Sequence, residues 1–275
     1  MNNNIEAKNS ATSPKGLIGY IINFFTARGI EKELSKQYDN FIQAVTTSIE
    51  ENNADPNSYH LPEKVEFNFK GCLVTIISCD PDKVTIKVEG KKGKSFTSEI
   101  SEKEFKNVAT LLLLQKRLNL SINMKEGKID LSNINLSGKN LSGIYLEGAN
   151  LSFADLSEAD LSGANLENAN MMSSIFNKAK LIQTNLNGAN LENAQLKNAN
   201  LNSALLNKVR MFNTNLIEST LINADLSEAN ITISIFGWAD LQDAKLNNAI
   251  IYASSLTLAE MSGVDLTGSD LFTRK

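Results

Sequence analysis

The sequence reads as an α+β domain joined to a β-helix, and three observations carry that reading. From Leu131 to Leu271 every fifth residue, 29 in all, is Leu, Met, Phe or Ile, with no slip in register. Two residues before each of these the chain favours Ala, Ser, Thr or Val, with larger exceptions at Ile129, Ile134, Lys139 and Ile144, where the array starts. Ahead of about residue 128 the five-residue period vanishes, and helix-like stretches flank short β-rich runs. A period of five suits neither the 3.6 of a helix nor the 2.0 of a strand, so each pentapeptide is one short side of a coil.

The elements follow in order. Residues 1–10 are polar and Asn-rich, with nothing to bury, and predict a disordered tail. An N-terminal domain is expected over 11–127. Ser13-Pro14 is a helix start and Gly29 a stop, which predicts a first helix from Pro14 to Arg28. A second, from Glu31 to Glu51, places Leu34, Tyr38, Phe41, Ile42, Val45 and Ile49 on one face. Four β-rich runs come next, Val65–Phe69, Leu73–Ile77, Val84–Val88 and Phe96–Ile100, with turns at Asp80-Pro81-Asp82 and Lys91–Lys94. Ser101 and Glu104 have capping-box spacing and open a third helix to about Leu118. A β-helix end left open would present unpaired backbone groups, so this domain is expected to cap the array.

The array is expected over 128–275. Ala149-Asn150-Leu151-Ser152-Phe153 and Ala159-Asp160-Leu161-Ser162-Gly163 closely resemble the tandem pentapeptide-repeat family. The resemblance implies a right-handed quadrilateral β-helix, four sides to a turn. Twenty-nine sides then make about seven coils, a rod on the order of 35 Å long at ~4.8 Å per coil. Burying one Leu is worth roughly 1.5–3 kcal/mol, so each coil depends on its neighbours, and the axis positions are structural. Function is left to the outward positions.

With twenty residues per turn, positions twenty apart share a face. The face centred on Leu131, Leu151, Met171 and their successors carries Phe153, Met172, Phe212, Ile233, Ile250, Tyr252 and Phe272 outward. The next adds Ile175, Ile217, Ile235, Trp238 and Leu258; the other two hold only Tyr145, Ile182, Leu205 and Ile222. Such a one-sided apolar surface marks a partner, a membrane surface or a packed domain, and the N-terminal domain or a second copy of the chain are alternative covers. The reading adopted is an external partner, bound by Phe212, Ile233, Ile235, Trp238 and Tyr252, with tryptophan and tyrosine as typical anchors.

Composition narrows the chemistry. Net charge is −4, with +1 through Gly127 and −5 beyond it, which offers no basic field for nucleic acid. Two cysteines, Cys72 and Cys79, and one histidine, His60, support neither a disulfide framework nor a metal site, and no cofactor is implied. Nucleophilic catalysis needs an activated Ser or Cys beside a base, and His60 in a Tyr-His-Leu-Pro loop gives little support, so no enzyme is expected. Leu17–Phe25 is too short for a membrane span, and Thr26-Ala27-Arg28 is no secretory cleavage site.

Ala11-Thr12-Ser13-Pro14-Lys15, Tyr20-Ile21-Ile22-Asn23-Phe24-Phe25-Thr26 and Gly29-Ile30, with Gly71-Cys72, resemble the PipB family of type III secreted effectors, which also joins an α/β domain to pentapeptide repeats. The resemblance implies delivery into a host cell and residence in its cytoplasm and on the pathogen-containing vacuole and its tubules. The one-sided apolar face is then read as meeting a host protein or membrane-associated complex, with peripheral membrane association as one mode. Of the Trp-Glu-Lys-Ile-x-x-Phe-Phe export motif, Ile21, Phe24 and Phe25 fit. The kinesin-recruiting member carries a Leu-Phe-Asn-Glu-Phe tail where this chain reads Phe272-Thr273-Arg274-Lys275, so kinesin recruitment is doubtful. The alternative reading is a bacterial cytosolic protein that modulates a topoisomerase by DNA mimicry, for which Lys178, Lys180, Lys197, Lys208 and Arg210 spoil the acidic face.

Overall fold

The computed structural model describes residues 64–69, 72–80, 83–89, 95–101, 110, 114, 123–125 and 128–272. The expected tail, the helices expected over 14–28 and 31–51, the export residues Ile21, Phe24 and Phe25, and His60 all lie outside these residues. The chain divides into two compact units, one holding the described residues up to Ser101 and the other those from Thr110 onward.

In the first unit, β1 (Lys64–Phe69), β2 (Cys72–Asp80), β3 (Lys83–Glu89) and β4 (Ser95–Ser101) form an antiparallel meander in chain order. Each covers one of the four β-rich runs. The pairings Glu66↔Thr75, Val74↔Val88 and Val84↔Ile100 fix the register, with an irregularity between Ser78 and Asp80. On the central strands Val84 and Thr75 are buried, and the Thr75 hydroxyl donates to Glu66 Oε1 across the β1–β2 pair at 3.2 Å.

The second unit begins with helical, buried Thr110 and Leu114. A short antiparallel hairpin follows, β5 (Asn123–Lys125) on β6 (Lys128–Asp130), and β6 feeds the first coil. From there parallel pairings join the second residue of each pentapeptide to the one twenty further on, from Asp130↔Asn150 to Ile250↔Asp270, without a break. Four five-residue sides therefore make every turn, and the faces sorted by position in the sequence are the faces of the molecule. The coils open at Asp130, Asn150, Asn170, Asn190, Arg210, Asn230 and Ile250.

Each position in the pentapeptide has its own physical task. The first is small and faces inward, as Ala154 and Ala159 do, both fully buried. The second, usually Asp or Asn, takes the otherwise outward-pointing amide of the fourth: Asp155 Oδ1 accepts from Ser157 N at 3.0 Å and Asn190 Oδ1 from Glu192 N at 3.0 Å. The third lies on the axis. The carbonyl of that axis residue accepts from the amide three residues on, as Leu156 does from Ala159 at 3.1 Å, which closes a β-turn. That turn puts the fifth residue at positive φ, where Gly163 (φ 66) and Asn168 (φ 54) sit. Between coils, Leu151 N donates to Asn170 O at 2.7 Å and Asn170 N to Ala149 O at 2.9 Å, so backbone groups are paired coil to coil.

The two ends differ. Axis residues Leu131, Leu136, Leu141 and Leu146 of the first coil are 0–1 % exposed although no coil precedes them, whereas Leu271 is 49 % exposed. Tyr145 corrects the sequence reading: it was expected outward in the open but is only 5 % exposed, its hydroxyl donating to Glu147 Oε2.

Candidate partner-binding face

On the first face the coil changes character at Arg210. Here β7 (Arg210–Phe212), β8 (Asn230–Thr232), β9 (Ile250–Tyr252) and β10 (Asp270–Phe272) form a parallel four-stranded sheet, in the order β7-β8-β9-β10. The turn after each axis residue opens, and a column of buried hydroxyls replaces its hydrogen bond. Thr214 Oγ1 donates to Leu191 O at 2.8 Å, Ser234 Oγ to Met211 O at 2.9 Å and Ser254 Oγ to Ile231 O at 3.2 Å. Two of them, Ser234 and Ser254, also accept from the coil before: Thr214 N donates to Ser234 Oγ at 3.2 Å and Ser234 N to Ser254 Oγ at 3.0 Å. Each hydroxyl thus ties two coils together behind the sheet.

On its outer surface that sheet carries Phe212, Ile250 and Tyr252; Ile233 follows β8 directly, and Ile235 and Trp238 lie on the adjoining second face. Phe212, Ile233, Ile235, Trp238 and Tyr252 are all exposed, and Ile250 and Leu258 join them. In register, Phe212 pairs with Thr232 and Thr232 with Tyr252, so the two rings flank a threonine one coil apart from each. Of the large apolar side chains exposed among the described residues, Phe153, Phe212, Ile233, Ile250, Tyr252, Ile175, Ile235, Trp238 and Leu258 lie on the first two faces; Leu205 lies on the fourth. Phe153 and Ile175 stand two or more coils below the main cluster. Three half-exposed aromatic side chains of roughly 150–250 Å² each already present on the order of 300 Å², the scale at which an apolar patch marks an interaction site.

Two features set this patch apart from the rest of the rod. Asn230–Ala239 and Ile250–Ala259, which form the first two sides of the two upper coils, hold no charged residue. Charges gather at the margin: Arg210 is ion-paired with Glu192 at 2.5 Å, Lys208 with Glu228 at 3.5 Å, and Lys197 with Glu218 at 3.7 Å, all largely exposed pairs of small energetic weight.

The second feature is the kind of residue that occupies the left-handed position recurring along the whole rod. Ile233 (φ 55), Trp238 (φ 55) and Leu258 (φ 58) occupy the fifth position, where the left-handed conformation costs an L-residue about 1–2 kcal/mol. For a β-branched or bulky residue it is a true outlier. Trp238 is 61 % exposed and Ile233 45 %, so burial does little to offset the cost. Neither packing nor turn preference selects isoleucine or tryptophan here, and strain of this kind gathers at functional sites. The sequence reading did not use this signal, although the five-residue register makes it visible: positions where nearby repeats place Asn, Asp, Glu, Ala or Gly hold Ile, Trp and Leu.

Among the described residues no three His, Cys, Asp or Glu side chains gather as metal ligands, and no helix is long and apolar enough to cross a membrane.

Comparison with known proteins follows the two halves. The N-terminal domain of secreted effector protein PipB2 matches residues 11–115, and the pentapeptide repeats match in overlapping copies from 129 to 271. Secreted effector protein PipB of Salmonella typhimurium strain LT2 is 30% identical over 139 residues, 47% of this chain and 47% of the relative. Secreted effector protein PipB2 of the same strain is 31% identical over 124 residues, 42% of this chain and 33% of the relative. The chain thus matches less than half the length of either relative. Among solved structures, HetL, a pentapeptide repeat protein of Nostoc sp. strain PCC 7120 involved in heterocyst differentiation regulation, is 23% identical with a TM-score of 0.43, over 58% of this chain and 91% of HetL. QnrB1, a plasmid-mediated fluoroquinolone resistance protein, is 14% identical with a TM-score of 0.29, over 50% of this chain and 84% of QnrB1.

Proposed function

Because the chain belongs to the pentapeptide-repeat family and carries, ahead of its array, the N-terminal domain of the PipB-type secreted effectors, we propose that it is a type III secreted effector acting as a non-enzymatic scaffold in the host cell. In this reading an α+β N-terminal domain carries the export segment, with Ile21, Phe24 and Phe25. The rod presents Phe212, Ile233, Ile235, Trp238 and Tyr252 to a host protein at the membrane of the pathogen-containing vacuole.

The observation that supports this most is the apolar patch, free of charge in its two upper coils, that holds the large side chains Ile233, Trp238 and Leu258 in left-handed backbone positions. A fold holds such residues on its surface only against its own preference. No comparable argument favours chemistry, because the described residues of the rod offer small and amide side chains, not an activated nucleophile beside a base.

Two measurements test the reading. A reporter fused after Lys275 should reach host cytosol from a secretion-competent bacterium and not from an export-null strain, and replacing Phe24 and Phe25 with serine should abolish delivery. In infected cells the wild-type chain should fractionate with membranes, whereas W238S/Y252S, delivered equally well, should move to the soluble fraction. Unchanged membrane fractionation of the double variant would reject the patch as the docking surface.

A further inference from the structure

The shape and charge of the patch narrow what can lie on it. Across the coil the flat part is short: β7, β8 and β9 are three residues each, and the chain then turns the corner to the second face. Along the rod the surface is continuous through three coils, with columns that repeat at each coil. Phe212, Thr232 and Tyr252 form one column, Asn215, Ile235 and Ser255 a second, and Glu218, Trp238 and Leu258 a third. A segment bound along the axis meets side chains that recur within a column at each coil, about 4.8 Å apart. An α-helix returns a side chain to the same face every ~5.4 Å, a mismatch near 1.2 Å over two coils. An extended strand does so every ~6.7 Å, a mismatch near 4 Å over the same span.

The charge at the margin adds a second constraint. Asp240 and Glu260 bridge each other's backbone on consecutive coils, two residues past Trp238 and Leu258 and so just around the corner from the patch. Their carboxylates accept local hydrogen bonds, Asp240 from Gln242 N at 3.1 Å and Glu260 from Ser262 N at 2.9 Å and from the Ser262 hydroxyl, and neither has an ion-pair partner among the described residues. Hydrogen bonds from Ser262 hold the Glu260 carboxyl below its ordinary range, so it is charged at neutral pH. The opposite margin differs, since Arg210 and Lys208 are already neutralised by Glu192 and Glu228. One side of the patch is therefore acidic and open to a cation.

We propose that this face docks an amphipathic α-helix of a partner protein, laid along the rod with its apolar stripe on Phe212, Ile233, Ile235, Trp238 and Tyr252 and with lysine or arginine along the flank that meets Asp240 and Glu260. Anchors at i, i+3, i+4 and i+7 of such a helix fall on successive coils, and the basic flank sets its direction. An anionic lipid surface fits poorly, because the array carries −5 and its basic residues beside the patch are paired.

This inference rests on the docking reading above, and the test separates the two. A displayed library of randomised peptides of about 20 residues, long enough for a 30 Å helix, is selected on the full chain and counter-selected on W238S/Y252S. The expected product is enrichment of sequences with apolar residues at helical spacing and Lys or Arg on one flank. Affinity of the enriched peptides should fall about tenfold on D240N/E260Q, the loss expected for two rim pairs. Period-two apolar patterns, absence of a periodic pattern, an acidic flank, or no enrichment over the variant would each overturn the helix. So would patch-dependent flotation with phosphatidylserine–phosphatidylcholine vesicles, or a patch-dependent dimer in sedimentation. If W238S/Y252S loses its membrane fractionation in cells while selection yields no helical pattern, the docking surface stands and the helix falls. If fractionation is unchanged, the docking reading itself falls.

Discussion

Replacing Ile233 by alanine and, separately, by glycine isolates the strain on which the functional argument rests. Both variants lose the same half-exposed side chain beyond Cβ, so the packing loss nearly cancels between them. What differs is a Cβ held at φ 55. The left-handed conformation costs an L-residue about 1–2 kcal/mol, and glycine carries an entropic handicap of about 0.5–1 kcal/mol elsewhere in a chain. The balance leaves Ile233→Gly more stable than Ile233→Ala by about 1 kcal/mol, or roughly 2–4 °C in Tm for a chain of this length. At Ile231, buried on the axis and outside the positive-φ region, the order should reverse, with alanine ahead of glycine. Urea midpoints of the four variants decide the matter. Alanine equal to or better than glycine at residue 233 would mean that the site stores no strain, and the case for selection of isoleucine by function would fail.

Other expectations follow from the same geometry. Ser234→Ala removes the acceptor of Thr214 N and the donor to Met211 O inside the rod, and should cost about 2 kcal/mol or more in urea unfolding. Ser219→Ala should cost less, because Leu216 O keeps the amide of residue 219 as its partner. Gly188→Ala, at φ 65 with its new Cβ 2.4 Å from Asn168 Oδ1, should destabilise by about 1–2 kcal/mol, and N168A in the same chain should recover part of that loss. The Thr267 hydroxyl, then the Asn247 amide, hold the Asp265 carboxyl down from 3.8 to about 2. A depressed folded-state value contributes stability above pH 3.8 that disappears as pH falls towards 2, so Asp265→Asn should flatten the urea midpoint across that window.

The rod was legible because its rule is local and repeats without a slip. Leu131 to Leu271 declares the axis, the small first positions declare the interior, and a twenty-residue stack places Phe212 beside Tyr252 before any coordinates exist. Solvent exposure was readable for Trp238 and Ile235 but not for Tyr145, which is buried in the first coil with its hydroxyl on Glu147. The hydroxyl column behind the patch left a trace that went unused: Thr214, Ser234 and Ser254 stand twenty apart where alanine is the rule. In the N-terminal part the four strands were legible from β-branched and aromatic runs set off by turn residues. Their order as a meander came from pairing between them, which a composition-based reading does not contain.

The unbroken twenty-residue bridging also gives the molecule a phase. Because every coil is four identical steps, loss or gain of a single pentapeptide below Arg210 would leave the axis, the turns and the stacking intact. Everything above the change would rotate by a quarter turn relative to what lies beneath it. The patch would then point ninety degrees away from Phe153 and Ile175. Only changes in multiples of four repeats keep the faces aligned. Length variation in such an array is thus a dial for the direction in which a binding surface points, set independently of whether the protein folds.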